Sequence, residues 1–429
     1  MSSHISRRRF LIVSTAAAAG TFARAADPAP SRKLVVGVMG LRRGSALIKA
    51  ILEIPDVEIA YVADVDQIAV AKGLELVAKA NGPSKPKGVQ DFRRILDDRS
   101  VDALFIATPN FWHTPAAILA CAAGKHVYVE KPGSHNARES QWIVAAARKH
   151  RRVVQMGNQR RSWPVIIEAM TKLRQGVIGR VLTARAWYAN SRPSIGRGKA
   201  VPVPAQLDYS LWQGPVPERP YVDNLAPYNW HWRWHWGSGE MGNNGVHALD
   251  LARWGLGVDA PKRVTFAGGR YHFDDDQETP DTGVATFDFG HCLATWECSS
   301  CQPRANDNLD IVRFYGEKGM MAIVGMAAKV MAPHYKVFDL KGVELESKSG
   351  VGTDRMHVEN FLNCIRDGRT PNAEIEEGQK TALLCHLANI SYRVGRTVYY
   401  DAGARQIVGD AEATKWWGRE YRQGWEPVL

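Results

Sequence analysis

The feature that most restricts how this chain can fold is an alternation confined to its first third. Apolar runs of strand length occupy residues 34–39, 57–63, 103–108, 126–130 and 152–156. The stretches between them, 45–52, 69–79, 92–96, 115–123 and 139–150, carry apolar residues at three- and four-residue spacing. Strand and helix repeated in this order predict a parallel sheet joined by crossover helices. After about Pro164 the pattern changes to longer two-residue alternation at 181–189, 264–268, 284–289, 293–298 and 310–315, as in an open, mainly antiparallel sheet. Gly and Pro crowd residues 194–220, an irregular segment long enough to need a functional reason or to be mobile. Helical periodicity returns at 357–366 and 376–394, in helices expected to pack back on the body of the protein. At 429 residues the chain exceeds what one hydrophobic core serves, so two domains are expected behind a leader.

The leader begins Ser6-Arg7-Arg8-Arg9-Phe10-Leu11, runs through apolar residues to about Ala23, and ends in Ala23-Arg24-Ala25. This arrangement resembles a twin-arginine (Tat) export signal over residues 1–26. Its apolar stretch, about a dozen residues, is shorter than the roughly 20 a permanent membrane helix needs. No other segment qualifies, so no integral membrane segment is expected in the mature chain. Of the formal charge of +11, four cations belong to the leader, and the remaining +7 is dispersed. Without a Lys/Arg run interleaved with aromatics, or helix-turn-helix or zinc-finger spacing, nucleic acid is not an expected partner. The six cysteines are scattered, and Cys298-Ser-Ser-Cys301 lacks the second pair of a zinc site, so buried thiols in a strand are expected.

The first strand runs into Gly37-Val38-Met39-Gly40-Leu41-Arg42-Arg43-Gly44 and then a helix. Small residues are needed where backbone approaches a pyrophosphate seated on a helix N-terminus. Gly40 and Gly44 remain of the dinucleotide fingerprint, but its middle glycine is missing. The second strand ends in Asp64-Val65-Asp66. Asp64 is placed to hydrogen-bond the ribose hydroxyls of NAD, and Asp66 to cap the next helix. Arg42 or Arg43 instead offers a cation for NADP, so NAD is the expected cofactor and NADP a possible one.

Two further stretches carry a resemblance. Ala107-Thr108-Pro109-Asn110-Phe111-Trp112-His113 precedes Gly124-Lys125-His126-Val127-Tyr128-Val129-Glu130-Lys131-Pro132, and Gly157-Asn158-Gln159-Arg160-Arg161 follows. These resemble the Gfo/Idh/MocA oxidoreductases, with E-K-P the most specific part, and the resemblance extends from residue 33 onward. It implies an α/β fold: an N-terminal Rossmann domain at 33–160 that binds NAD(P), then an α+β domain at 161–429 with a large, mainly antiparallel open sheet for substrate and oligomerisation. It also implies a carbohydrate substrate, a homo-oligomer, and a cofactor site drawn from Gly37, Gly40, Arg42, Arg43, Gly44, Asp64, Thr108, Pro109, Asn110, His113, Glu130, Lys131 and Gln159.

Oxidising a sugar hydroxyl by hydride transfer releases a proton that a positioned base must take. The resemblance puts Lys131 between nicotinamide and substrate, where a neighbouring positive ring would lower its proton affinity. The family's second motif, Asp followed four residues later by His, falls on Asn243 and His247. Asn orients a hydroxyl but cannot accept a proton, so the base role shifts to His247, with Lys131. Just upstream, Trp230-His231-Trp232-Arg233-Trp234-His235-Trp236 alternates strictly. If extended, its rings share one face, and Trp230, Trp232 and Trp234, with Arg161, Asn243 and His247, are expected to bind substrate. His231, His235, Glu240 and His247 match no established zinc signature, and no metal is expected.

Export constrains the chemistry. The periplasm offers little free NAD(P)H, so an exported enzyme must bring its dinucleotide folded in and restore it each cycle. The expected activity is a sugar oxidoreductase with a tightly bound, recycled cofactor. A redox-neutral glycoside hydrolase or lyase acting through a keto sugar is the first alternative, and a non-catalytic carbohydrate-binding protein the second.

Overall fold

The computed structural model describes residues 33–80, 82, 84–304, 307, 310–324 and 332–429, so the expected leader and its cleavage site lie outside the described residues. The first sheet is built from β1 (Leu34–Met39), β2 (Val57–Ala63), β3 (Lys87–Val89), β4 (Ala103–Ile106), β5 (His126–Val129) and β6 (Val154–Met156). All neighbours are parallel, in the order β3-β2-β1-β4-β5-β6. The crossovers are α1 (Gly44–Leu52), α2 (Gln67–Lys79), α3 (Arg93–Asp97), α4 (Asn110–Ala122) and α5 (Ala137–Lys149). Strand order reverses between β1 and β4, and the loops leaving their carboxyl ends diverge to open a crevice.

The strands are apolar throughout because helices cover both faces: Val36, Val38, Leu104, Phe105 and Val127 are fully buried. Part of that cover comes from the far end of the chain. Helices α6 (Pro164–Arg174), α7 (Tyr209–Gln213) and α8 (Val246–Leu256) precede α9 (Asp354–Asp367), α10 (Ile375–Val394) and α11 (Ala411–Lys415). Phe361 of α9 stands edge-on to Phe105 at 5.5 Å and is fully buried, so the late helix completes the core of the early domain.

The second sheet comprises β7 (Val181–Ala189), β8 (Arg263–Gly269), β9 (Thr282–Asp288), β10 (Leu293–Ser299), β11 (Val312–Gly316), β12 (Gly319–Val324), β13 (His334–Asp339), β14 (Glu344–Ser349), β15 (Val398–Asp401) and β16 (Gln406–Ile407). Its order is β14-β13-β12-β11-β7-β10-β9-β8-β15-β16, antiparallel except where β10 runs parallel to β7. The alternation of buried and open positions in β9 and β10 gives it one inner face. There Trp296 meets Gly245 and Phe314 meets Gly255, so this face carries α8. Cys298 is buried in β10 and Cys301 just beyond it, both as free thiols. No helix of the described residues is long and apolar enough to cross a membrane.

The Trp segment is not extended. Asn229–Trp232 forms a 3-10 turn and Gly237 N–H closes a further turn on the Arg233 carbonyl at 2.7 Å. The neighbouring loop imposes this: Glu278 and Thr279 N–H groups both donate to the Trp232 carbonyl, and Trp234 N–H donates to the Glu278 carboxylate. With a three-residue period the rings fan out instead of sharing a face.

Candidate active site

One cleft of about 630 Å³ runs along the carboxyl edge of the parallel sheet and ends against α8. Gly40 sits at its base with φ +85°, and a Cβ there would lie 2.6 Å from the Ala107 carbonyl oxygen. Only glycine lets the β1 loop pack this closely on the β4 loop. No side chain caps α1; the Ser45 and Ala46 N–H groups of its first turn donate to the Arg42 and Arg43 carbonyls at 3.3 and 3.0 Å. Gly37 and Gly44 serve packing instead: a Cβ on Gly37 would strike Ile95, and Gly44 abuts Val38.

Asp64 lines the cleft beyond β2 and Asp66 caps α2 through Ile68 N–H. The Asp64 carboxylate accepts Leu41 N–H at 2.8 Å and Asp66 N–H at 3.0 Å, which fixes it in place with lone pairs to spare. Burial pushes its pKa up. The two arginines differ. Arg42 is exposed along the cleft, whereas Arg43 donates to Glu130 and forms a two-point pair with Asp354, both contacts at 2.7 Å. Arg43 therefore pins the glycine loop to the E-K-P strand end, and its guanidinium is taken.

Glu130 also accepts from Gln159 at 3.2 Å, so the pair Arg43 and Gln159 orients the carboxylate beside Lys131. Lys131 Nζ donates to the Asn243 backbone carbonyl at 2.7 Å and its side-chain oxygen at 3.1 Å. Burial lowers the Lys131 pKa to about 8. Asn243 sits in a π-helical turn, Met241–Gly245, that feeds α8 and brings His247 into the same cleft. Burial keeps His247 well below its ordinary pKa, with Arg160, Lys131 and Arg43 adding in the same direction.

Thr108, Pro109 and His113 line the middle of the cleft. His113 Nε2 bonds the Thr108 carbonyl at 2.8 Å, and burial lowers its pKa to about 3. That leaves His113 Nδ1 and Thr108 Oγ1 buried without a protein partner among the described residues. Two orphaned polar atoms, a glycine turn with no room for a side chain and a fixed carboxylate suit a ligand with phosphates and hydroxyls, so these residues fit a dinucleotide.

Several expected site residues lie elsewhere. Asn110 does not line the cleft; its amide donates to Ser238 at 2.8 Å and ties the two halves together. Arg161 is buried in a two-point pair with Asp250, under Trp254, because a desolvated guanidinium requires a matching carboxylate. Its neighbour Arg160 lines the cleft. Of the three tryptophans expected to bind substrate, Trp230 lines the cleft, with His231 stacked on its ring at 3.6 Å, and Trp232 and Trp234 do not. Trp232 is buried beneath Arg192, and Trp234 packs under Arg393. His235 bonds the Pro217 carbonyl, and Glu240 pairs with Arg192 and Asn244, so neither joins His231 and His247 in a cluster. Asp354 is not expected in the site from sequence, Arg160 reads as part of the motif without a site role, and His231 is weighed as a possible metal ligand. Asp354 has no local signal, lying 311 residues from the arginine it holds.

Comparison with known proteins agrees with this geometry. Residues 32–158 match the model of the oxidoreductase family with an NAD-binding Rossmann fold, and residues 166–322 match the Gfo/Idh/MocA C-terminal domain. Levoglucosan dehydrogenase of Pseudarthrobacter phenanthrenivorans is 29% identical over 168 residues, 39% of this chain and 36% of that one. A glycosyl hydrolase family 109 protein of Saccharopolyspora erythraea is 34% identical over 158 residues, 36% of this chain and 34% of its own. The matched stretch thus spans about a third of each relative's length. The WlbA dehydrogenase of Bordetella pertussis, solved with NADH and UDP-GlcNAcA, superposes with a TM-score of 0.65 at 22% identity, covering 86% of this chain and 99% of that one. With the NAD-binding domain and the C-terminal domain both matched in order, the chain belongs to the Gfo/Idh/MocA family of oxidoreductases.

Proposed function

We propose that this chain is an exported NAD-dependent oxidoreductase of a sugar or sugar derivative, which keeps its cofactor bound and restores it within each cycle. The observation that carries the reading is the position of Lys131, held by Asn243 beside His247 in a cleft whose other end presents Gly40 and Asp64. NAD bound there supplies the hydride acceptor. Gly40 and the start of α1 would hold its pyrophosphate, Asp64 its ribose, and Thr108 and His113 its remaining polar groups. Two of the three ammonium donors of Lys131 face Asn243, which leaves one for the substrate oxygen. With a pKa of about 8, Lys131 exists partly as the free amine near neutral pH and can take the hydroxyl proton. His247 is held neutral by burial and offers a second acceptor. Trp230, His231 and Tyr228 wall the substrate end with rings suited to the C–H faces of a sugar. Export, and with it the need for a recycled cofactor, rests on the leader sequence.

Asn243 in place of the family's acid is compatible with one second reading, redox-neutral glycoside cleavage. There a transient carbonyl acidifies the adjacent C–H and permits loss of the neighbouring substituent. A relative named for glycosyl hydrolase family 109 supports it. The test is product analysis of the protein purified without added nucleotide and incubated with a glycoside panel. A keto sugar appearing with reduced bound cofactor is expected. Free aglycone with no net redox change would establish cleavage, and no product with any sugar would contradict both.

A further inference from the structure

The irregular segment at residues 199–222 crosses from the second domain to the nucleotide end of the cleft. Leu207 forms an isolated antiparallel bridge with Asp66. Gln67 N–H donates to the Gln206 carbonyl and Asp208 N–H to the Val65 carbonyl, each at 3.0 Å. The bridge is thus fastened to the residues immediately after Asp64. Beyond it, Asp208 caps the short helix α7, and the Trp212 carbonyl accepts Trp112 Nε1–H at 3.0 Å. The C-terminal tail braces the crossing from outside: Arg422 N–H donates to the Pro215 carbonyl, and Trp425 stands edge-on to Trp112 at 5.5 Å.

Holding a long connection in one place costs chain entropy, which is offset by a few backbone hydrogen bonds, each worth about 1 kcal/mol net, and by burial of Tyr209, Trp212 and Val216 in the core. Beyond that packing, the crossing builds a wall. Pro204, Leu207, Leu211 and Trp212 line the same cleft as Asp64, Val65 and Phe92. An apolar wall facing a ribose-reading carboxylate suits a flat, weakly polar ring joined to a ribose, the chemistry of an adenosine.

We propose that residues 199–222 form the outer half of the adenosine subsite and latch the dinucleotide in place, so that the cofactor leaves only when the bridge between Leu207 and Asp66 opens. This rests on the reading that the cleft holds NAD, and it supplies the physical means by which a recycled cofactor is retained.

The test compares NAD release from the intact protein with release from a Leu207→Gly/Leu211→Ala variant, measured by rapid dilution and by calorimetry. Removing two apolar contacts should speed release by about ten-fold or more while the variant still binds NAD. Equal release rates would overturn the latch and leave the cofactor assignment standing. An intact chain that neither retains nor takes up NAD would overturn both. A readout on the unmodified protein guards against misfolding of the variant. Hydrogen exchange at the Gln67 and Asp208 amides should slow when NAD is added, and unchanged exchange would overturn the latch.

Discussion

Lys131 and Asn243 set the pH behaviour of the site between them. Burial without a facing carboxylate at 243 holds Lys131 near 8, and deprotonation of the ammonium creates the base. Activity should therefore rise with pH, with kcat/KM reaching half its maximum near pH 8. Asn243→Asp places a negative charge against the ammonium and favours the protonated form, so the same midpoint should move up by about one unit or more in a pH-rate profile. An unmoved midpoint would separate Lys131 from the rate-limiting proton transfer. Lys131→Ala should lower kcat by about 10² to 10⁴ and abolish that limb. His113 and His231, both held near 3 by burial, stay neutral across this range and should add no limb of their own. At this scale the sequence was readable where a residue belongs to a compact motif, as with Lys131, Asp64 and His247. It misled where a side chain answers to a distant partner. Arg161 reads like a substrate ligand beside Gln159, yet Asp250, on a helix 89 residues later, claims it.

Two elements position these groups. The turn after β1 works because Gly40 adopts a conformation that costs other residues about 1–3 kcal/mol and leaves no room for a Cβ. Gly40→Ala should lower thermal stability by at least that amount and weaken NAD binding measured by calorimetry. Helix α8 is fastened to the 3-10 turn at Gln159–Ser162 by the buried pair Arg161 and Asp250. Arg161→Ala should cost about 3–5 kcal/mol in denaturant unfolding, because it leaves a buried carboxylate unpaired. NAD affinity of the folded fraction should hold, since Arg161 does not line the cleft. In the first sheet β1, β2, β4, β5 and β6 are legible as short continuous apolar runs, and β7 to β11 as two-residue alternation. β3, three largely open residues, and β14, an edge strand reading Glu-Leu-Glu-Ser-Lys-Ser, carry no such signal. The Trp stretch shows the reverse error. Its two-residue alternation looks like a strand, and hydrogen bonds from residues 278 and 279 turn it into a coil of short turns.

Across the whole molecule the cleft is assembled from both domains. The parallel sheet supplies Gly40, Asp64 and Lys131, α8 supplies His247, α9 supplies Asp354, and the crossing segment supplies Leu207. The two-sheet pattern was readable from the switch in hydrophobic period, but the crossing was visible only as a Gly- and Pro-rich gap, because its pairing with Asp66 depends on long-range contact. What unifies these parts is the claim that the cleft grips NAD with its nicotinamide against Lys131. A crystal structure of the full chain grown with NAD tests this most directly. The account predicts density from Asp64 past Gly40 to a nicotinamide ring in contact with the Lys131 side chain, with its reactive carbon open toward a substrate about 3–3.5 Å away. A nicotinamide pointing out of the cleft, or a cleft without nucleotide at saturating NAD, would contradict it.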